Sequence, residues 1–268
     1  MKTHGIVDDP IKIYPWARCV LLLVWGYAPF SRDEIIPAYY LASNASYHGA
    51  KALQKRLAER GMKAEFVELP ARAAALAAGI GTKGKNGLLR LQGLGSRFVL
   101  QTIVTDACEP AAYNEPALDC GDCDRCASAC PMGAIDPELG LDVKRCMRYY
   151  MDGPMHLDNI KEKLVQYMGC ELCQHACPYN EYQTIAEPPE YVKAAFDPKR
   201  LLAGDAAEAR RLVGRNMTGG GKLTAEAIVF AARSGNHEDL LKQARDCPEQ
   251  FEAVADALRW AGERNEKK

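Results

Sequence analysis

The sequence lacks three features that would narrow its function at once. Its formal net charge is only −1, with 34 Lys and Arg against 35 Asp and Glu, so we expect no global attraction to nucleic acid or to an anionic membrane. The most apolar run, residues 20–28, is far too short to cross a bilayer. The first residues are polar and interrupted by prolines, unlike a secretory signal. We therefore predict a cytoplasmic protein with no membrane partner.

Cysteine, by contrast, is abundant and unevenly placed. Eight of the 11 cysteines fall between residues 120 and 178. They form C-x2-C-x2-C-x3-C-P at 120–131, a single cysteine at position 146, and C-x2-C-x3-C-P at 170–178. Both endings are typical of bacterial ferredoxins that hold two 4Fe-4S clusters.

The fourth cysteine of such a run ligates the other cluster in two-cluster ferredoxins. We therefore predict crossed ligation. The first cluster is assigned Cys120, Cys123, Cys126 and Cys177, and the second Cys130, Cys146, Cys170 and Cys173. Disulfides would need an oxidising compartment, and zinc would favour separate four-ligand sets, so both fit the spacing less well. Cys108 and Cys247 lie outside the pattern and receive no ligand role.

The region before the cysteines predicts alternating strands and helices. Residues 19–30 form a continuous apolar run, which favours a central strand buried on both faces, with Cys19 as inert core. Residues 39–62 have helical spacing, with Ala50, Leu53, Leu57 and Ala58 on one side. Residues 63–69 and 97–107 read as further strands.

Glycines are concentrated between residues 79 and 95, after a short Ala-rich helix that Pro70 can begin. Such backbone can approach a phosphate or a large flat ligand closely. The order matches neither the Walker A motif nor the dinucleotide fingerprint. A glycine-rich surface hairpin is an equally good interpretation.

After residue 180 the composition changes. A proline-punctuated linker is expected first, then helices at 205–214, 223–234, 237–246 and 249–263 that resemble a short helical-repeat unit. Basic residues gather at its start, and a solvated helix face is favoured over a polyanion-binding patch. They are Lys199, Arg200, Arg210, Arg211, Arg215 and Lys222.

Taken in order, the segments GIGTKGKNGLL, FVLQTIVTD, CGDCDRCASACPMGAI, KRCMRYY and GCELCQHACPYN resemble the epoxyqueuosine reductase family, which shares its core with corrinoid reductive dehalogenases. The resemblance covers roughly residues 19–180 and implies an α+β protein. Its expected parts are a nitroreductase-like cobalamin-binding domain (1–107), a two-cluster ferredoxin-like module (108–182), and a linker with a short HEAT-like helical region (183–268). Relative to the family, the chain is shorter at both ends.

The resemblance also implies cofactors and partners. Two 4Fe-4S clusters would pass electrons from an external ferredoxin- or flavodoxin-type donor to a corrin cobalt, and then to a small-molecule or modified-nucleoside substrate. The residues that would bind cobalamin are Tyr47, His48, Gly84, Lys85, Asn86, Gly87, Leu88, Gly95, Ser96 and Arg97.

The chain departs from the family where that family has an aspartate proton donor. The corresponding segment reads FVELPARAAAL, in which Glu68 is the nearest acid and Glu65 the second, with Tyr39, Tyr40 and Tyr47 as phenolic alternatives. The nearly neutral charge disfavours tRNA as the substrate. An alternative function is therefore electron transfer or cobalamin handling without substrate turnover.

Overall fold

The computed structural model describes residues 9–109, 113, 117–151, 158–234 and 251–266. The strands are β1 (Cys19–Gly26), β2 (Ala64–Phe66), β3 (Thr82–Lys83), β4 (Leu89–Arg90), β5 (Phe98–Thr105), β6 (Ile135–Asp136) and β7 (Gly140–Leu141). The helices are α1 (Pro10–Ile13), α2 (Ala38–Glu59), α3 (Ala71–Ala77), α4 (Arg125–Ser128), α5 (Met147–Met151), α6 (Asp158–Lys163), α7 (Leu172–His175), α8 (Glu190–Ala195), α9 (Pro198–Leu202), α10 (Ala207–Val213), α11 (Arg215–Thr218), α12 (Lys222–Ser234) and α13 (Glu252–Glu266).

The main sheet is antiparallel with the order β1-β5-β2. The prediction that β1 is a central strand buried on both faces is wrong, because β5 takes the centre and β1 lies at an edge. Val24 and Trp25 of β1 are 39% and 44% exposed, whereas Ile103 and Val104 of β5 are fully buried. An apolar run predicts that a strand is buried, but it does not predict which strands will pair with it.

Each face of this sheet carries different elements. Helix α2 covers one face, where Ala50 packs with Ile103. Helix α3 and the β3–β4 hairpin cover the other, where Ala75 and Leu89 pack with Phe98. Of the predicted inward positions of α2, Ala50 is buried and Leu53 and Leu57 are partly buried, but Ala58 is exposed.

Cys19 is not inert core. It forms a disulfide with Cys108, with the two Cα atoms 6.1 Å apart. The bond joins the start of β1 to the segment that leaves β5, because the antiparallel register places Cys19 opposite Thr105. Sequence spacing could not reveal it, since the partners are 89 residues apart. Cys247 lies outside the described residues.

The stretch expected to be a linker is folded into the core. It forms α8 and α9, and its Phe196, Leu201 and Leu202 are almost completely buried. They share one hydrophobic cluster with Tyr167 of the cysteine-rich region and Ile228 of α12. The predicted helices at 205–214, 223–234 and 249–263 correspond to α10, α12 and α13, while that at 237–246 lies outside the described residues.

Helices and antiparallel sheets are both present, so the α+β prediction is confirmed. None of the helices in the described parts of the chain combines the length and apolar character needed to cross a membrane.

Candidate iron–sulfur centre and adjoining polar cleft

The two cysteine loops have the same local backbone. In the first, Asp124 (φ −117°, ψ 7°) begins α4 and Ala129 (φ −82°, ψ −10°) ends it. In the second, Glu171 (φ −108°, ψ 11°) begins α7 and Ala176 (φ −80°, ψ −13°) ends it. Identical spacing therefore folds into one repeated unit, a single helical turn that carries the middle cysteines and releases the last one before a proline.

Electrostatic interactions connect cysteines of the two loops. The Cys126 thiol interacts with Cys120, Cys177 and Cys123, and Cys177 interacts with Cys120 and Cys123. The Cys173 thiol interacts most strongly with Cys170 and Cys146, and then with Cys126 and Cys130. Cys177 therefore interacts with cysteines of the first loop, and Cys130 interacts with Cys170 of the second, as the crossed assignment predicts, while Cys173 also interacts with Cys126 of the other set.

Burial makes four of the eight sulfurs poor free thiolates. Desolvation raises the pKa of Cys170 to about 11 and also raises the pKa values of Cys173, Cys126 and Cys177. A group of thiols that burial keeps protonated needs bound metal to become thiolate.

Within the described ranges, no three His, Cys, Asp or Glu side chains converge on a point that suits a single metal ion. Tetrahedral zinc sites need that convergence, because each Zn–S bond is only about 2.3 Å long. The eight candidate donors are all thiols, which are the ligands that 4Fe-4S clusters use.

The glycine-rich stretch is a hairpin, β3–β4, and its backbone is already bonded. Gly84 N–H donates to the Leu88 carbonyl at 2.8 Å, and Gly87 N–H donates to the Gly84 carbonyl at 2.9 Å. Leu88 N–H donates to the Asn86 side chain at 3.2 Å. These amides were expected to face a corrin, and they do not fit that role.

Residues 95–97 contact the end of the second cysteine loop through hydrogen bonds with Asn180. Ser96 N–H donates to Asn180 Oδ1 at 2.8 Å, and Asn180 Nδ2 donates to Ser96 Oγ at 3.1 Å. Gly95 has a φ of +58°, and a Cβ there would lie 2.0 Å from Asn180 Oδ1. This glycine is therefore required by close contact between the hairpin and the cysteine loop.

The structure does not bring Tyr47 and His48 to the hairpin. Both lie on α2, where the Tyr47 ring meets the Phe66 ring edge-on at 5.3 Å between centroids. Phe66 belongs to the α2 face of the sheet, whereas the hairpin covers the opposite face. Lys85 instead contacts the first cysteine loop, donating to the carbonyls of Gly121 at 2.7 Å and Cys123 at 3.2 Å.

Glu68 does not have the surroundings of a proton donor. It is exposed, and Glu65 accepts a hydrogen bond from Gln54 at 3.0 Å. Of the phenolic alternatives, Tyr39 is the best placed, since burial raises its pKa and Arg148 and Arg72 oppose that rise. A buried acid works near neutral pH only when such effects tune it.

A second polar group, beside Tyr39, lies where the sheet meets the second cysteine loop. The Tyr27 hydroxyl donates to Glu171 Oε1 at 3.2 Å. Arg97 donates to His175 Nδ1 at 3.1 Å, and burial lowers the pKa of His175 to about 4, so its ring is neutral at pH 7. We call Tyr27, Tyr39, Arg97, Glu171 and His175 the polar cleft.

Glu171 accepts hydrogen bonds both from Tyr27 of the polar cleft and from the first turn of α2. Burial raises the pKa of its carboxyl, and the Tyr27 hydroxyl and the Arg97 charge oppose that rise. Hydrogen bonds from the backbone N–H groups of Ala38 and Tyr39, in the first turn of α2, also lower the pKa of Glu171. A carboxylate is stabilised there by the helix dipole, so Glu171 acts as the missing side-chain cap of α2.

Helix α12 also contacts the segment that leads into the second cysteine loop. Glu226 of α12 is fully buried and accepts the Met168 N–H at 2.8 Å. Among the described non-glycine residues, Met168 alone has a positive φ, +60°, and it lies two residues before Cys170. Left-handed backbone at a bulky residue is strained, and the hydrogen bond to the Glu226 carboxyl group holds it in place.

Comparisons with known proteins agree with this geometry. Residues 119–180 match the family model of the 4Fe-4S double cluster binding domain. The chain is 31% identical over 194 residues to the epoxyqueuosine reductase of Cyclobacterium marinum, covering 65% of this chain and 62% of that protein. Over these residues the chain is similar to the epoxyqueuosine reductases.

Solved structures show the same fold. Epoxyqueuosine reductase from Bacillus subtilis superposes with a TM-score of 0.71 at 22% identity, covering 96% of this chain and 78% of that one. An epoxyqueuosine reductase crystallised with an epoxyqueuosine-modified tRNA stem loop gives a TM-score of 0.73 at 22% identity, covering 96% and 76%. The chain spans about 62% of the Cyclobacterium marinum protein and 41% of a Listeria monocytogenes relative.

Sequence reasoning missed the residues that join the parts of this protein. Tyr27 stands at the end of an apolar run and Glu171 between two cysteines, so neither has a motif of its own. Glu226 lies in an Ala-rich helix, where a charged residue inside an apolar stretch was the available signal. Arg90 could have been noticed for the same reason, as a lone charge between Leu89 and Leu91.

Proposed function

We propose that this chain is an iron–sulfur reductase in which two 4Fe-4S clusters deliver electrons to an electrophile held at the polar cleft. The observation that supports it is the match of residues 119–180 to a 4Fe-4S double cluster binding domain, together with the buried phenol and carboxyl groups beside the second cysteine loop. The ligand sets are those assigned from the spacing. An external ferredoxin- or flavodoxin-type protein would supply the electrons in the cytoplasm.

The first cluster is the better entry point, since the loop around Cys123 is exposed and the second loop is not. The second cluster would then lie between the first cluster and the cleft, because Glu171 is shared by the second loop and the cleft. Each cluster carries one electron, so a pair of clusters matches a two-electron reduction.

An epoxyqueuosine-type substrate fits this stoichiometry. Reducing an epoxide to an alkene consumes two electrons and two protons, breaks both C–O bonds and releases water. Tyr39 and Tyr27 are phenols near the second loop that can hold protons. The relatives' names and the solved tRNA stem-loop complex support a modified nucleoside over other electrophiles.

Cobalamin dependence is supported by the family resemblance alone. The amides of Gly84, Gly87, Leu88 and Ser96 are bonded within the protein, and Tyr47 and His48 lie across the sheet from them. The residues expected to hold a corrin do not fit it, and we derive no step through cobalt.

The test starts with anaerobic purification and quantification of iron and sulfide. Reduced protein is then offered an epoxyqueuosine-containing tRNA stem loop or the free nucleoside, each with and without added cobalamin. Formation of queuosine supports the proposal, and the arm that reacts identifies the substrate form and any need for cobalamin. Colourless, iron-free protein would rule it out.

Electron transfer without turnover is the second candidate, and exposed Glu68 favours it because the expected buried acid is missing there. It predicts reversible cluster reduction and oxidation in the same experiment, with no product in any arm. Product formation by the unaltered protein separates the two candidate functions, and Tyr39→Phe then tests the role of Tyr39. It should abolish turnover if Tyr39 delivers a proton, and it should leave cluster reduction unchanged if the protein only transfers electrons.

A further inference from the structure

Arg90, at the end of β4, contacts one residue that precedes Cys120 and one that follows Cys177, and both cysteines are assigned to the first cluster. Arg90 is only 2% exposed. Its Nη2 donates to the Leu118 carbonyl, and its guanidinium lies over the Tyr179 ring at 4.7 Å from the centroid. Leu118 is two residues before Cys120 and Tyr179 is two residues after Cys177, so both contacts lie within two residues of ligands assigned to the first cluster.

One donor of this side chain is unexplained by those contacts. Arg90 Nε is buried and has no hydrogen-bond partner among the described residues. A buried, unpaired N–H of a charged group is costly, and native proteins rarely leave one without a reason. The contact with Leu118 accounts for Nη2 but leaves Nε aimed at no acceptor.

The surroundings of Nε are kept clear by a glycine. A Cβ at Gly84 would lie 3.2 Å from Nε and 2.8 Å from Asn86 Oδ1, so any larger residue would crowd both.

We propose that Arg90 donates a hydrogen bond from Nε to a sulfur of the first 4Fe-4S cluster and stabilises its reduced state. This inference rests on the two-cluster assignment made above. Reduction adds one electron, taken from the external donor, and breaks no bond. Since the cluster gains negative charge, an adjacent cation and an N–H···S bond both raise its potential. The first cluster would then be the one that fills first.

Two substitutions separate the effect of the Arg90 charge from that of the Nε hydrogen bond. Arg90→Met removes the charge and the donor, whereas Arg90→Lys keeps the charge and loses Nε. Arg200→Met is the matched control, since Arg200 pairs with Asp205 on the surface of α9. Midpoint potentials of both clusters are measured by anaerobic redox titration followed by EPR. The signal that disappears in Cys177→Ser identifies the first cluster.

For Arg90→Met we expect full iron content and, at a fixed potential, about a tenfold lower ratio of reduced to oxidised first cluster, which is 59 mV for one electron. Arg90→Lys should move the same midpoint less, and the second cluster should not move. Unchanged midpoints in iron-replete Arg90→Met would overturn the inference and leave the proposed function intact.

A measurement on the unaltered chain covers the case in which Arg90→Met fails to load iron. Protein labelled with ¹⁵N-arginine is reduced and examined by pulsed EPR. A ¹⁵N coupling to the first cluster that is lost in Arg90→Lys supports the hydrogen bond, and its absence from the unaltered protein contradicts it. If that protein holds no clusters at all, the proposed function has failed instead.

Discussion

The two cysteine loops share a backbone and differ in their surroundings. Around Cys123 the loop is open, and Gly121, Asp122 and Asp124 are exposed. Around Cys170 the loop is enclosed, and Met168, Gly169 and Glu171 are buried. The repeated motif therefore sets how three sulfurs are presented in each loop, while the packing against each loop sets access and charge. That difference is what an entry cluster and an internal cluster would need.

The sharpest way to break this comparison is to remove the cysteines that cross between loops. Cys130→Ser and Cys177→Ser should each lose roughly half of the iron, and they should lose different EPR signals. Cys19→Ser is the control, because Cys19 belongs to the disulfide and should leave both signals intact. If both crossing variants lose the same signal, the crossed assignment is wrong.

The contact between the hairpin and the enclosed loop can be tested at one glycine. Gly95→Ala should lower the free energy of unfolding by about 2–5 kcal/mol, because its methyl group would overlap Asn180 and its φ is +58°.

Gly93→Ala is the matched control. It has a similar φ of +76° but no atom within 4 Å of its Cβ, so we expect only about 1–2 kcal/mol. Urea unfolding under anaerobic conditions measures both variants. Equal losses would show that the Asn180 contact contributes nothing.

Glu171 distinguishes the enclosed loop from the open one. Glu171→Gln should lower stability by about 1–3 kcal/mol, since the carboxylate that accepts from Tyr27 and faces the first turn of α2 is lost. Glu181 pairs with Arg125 beside the open loop at the surface, and Glu181→Gln should cost less than about 1 kcal/mol. A Glu171→Gln variant as stable as Glu181→Gln would contradict the capping role.

Glu226 should give the enclosed loop a pH dependence that the open loop lacks. Burial raises its pKa from 4.5 to about 8, so its stabilising contribution is complete below pH 4.5 and is lost as the pH rises through 8. The slope is up to about 1.4 kcal/mol per pH unit.

Glu226→Gln should flatten that part of the stability curve between pH 5 and 8. Glu190→Gln, at an exposed position on α8, should leave the curve unchanged. Parallel curves for Glu226→Gln and the unaltered chain would show that Glu226 does not titrate in this range.

Much of the local structure was predictable from residue patterns. Helical spacing over 39–62 gave α2 to within a few residues, and Pro70 begins α3 as expected. Position in the sheet was not predictable, because an apolar run such as residues 19–30 is the same at an edge as at the centre. The glycines at 84–95 were ambiguous for a similar reason, since close approach to a ligand and close approach to Asn180 require the same residue.

The sequence by itself determined the cysteine loops, because their geometry follows from spacing within a dozen residues. Only the tertiary structure decided what surrounds them. Arg90 and Glu226 reach the loops from elements far away in the chain, Glu171 of the second loop meets the distant Tyr27, and Cys19 meets Cys108 only because β1 pairs with β5. Local rules act over one turn of chain, whereas burial and charge at a sulfur depend on every segment that folds against it.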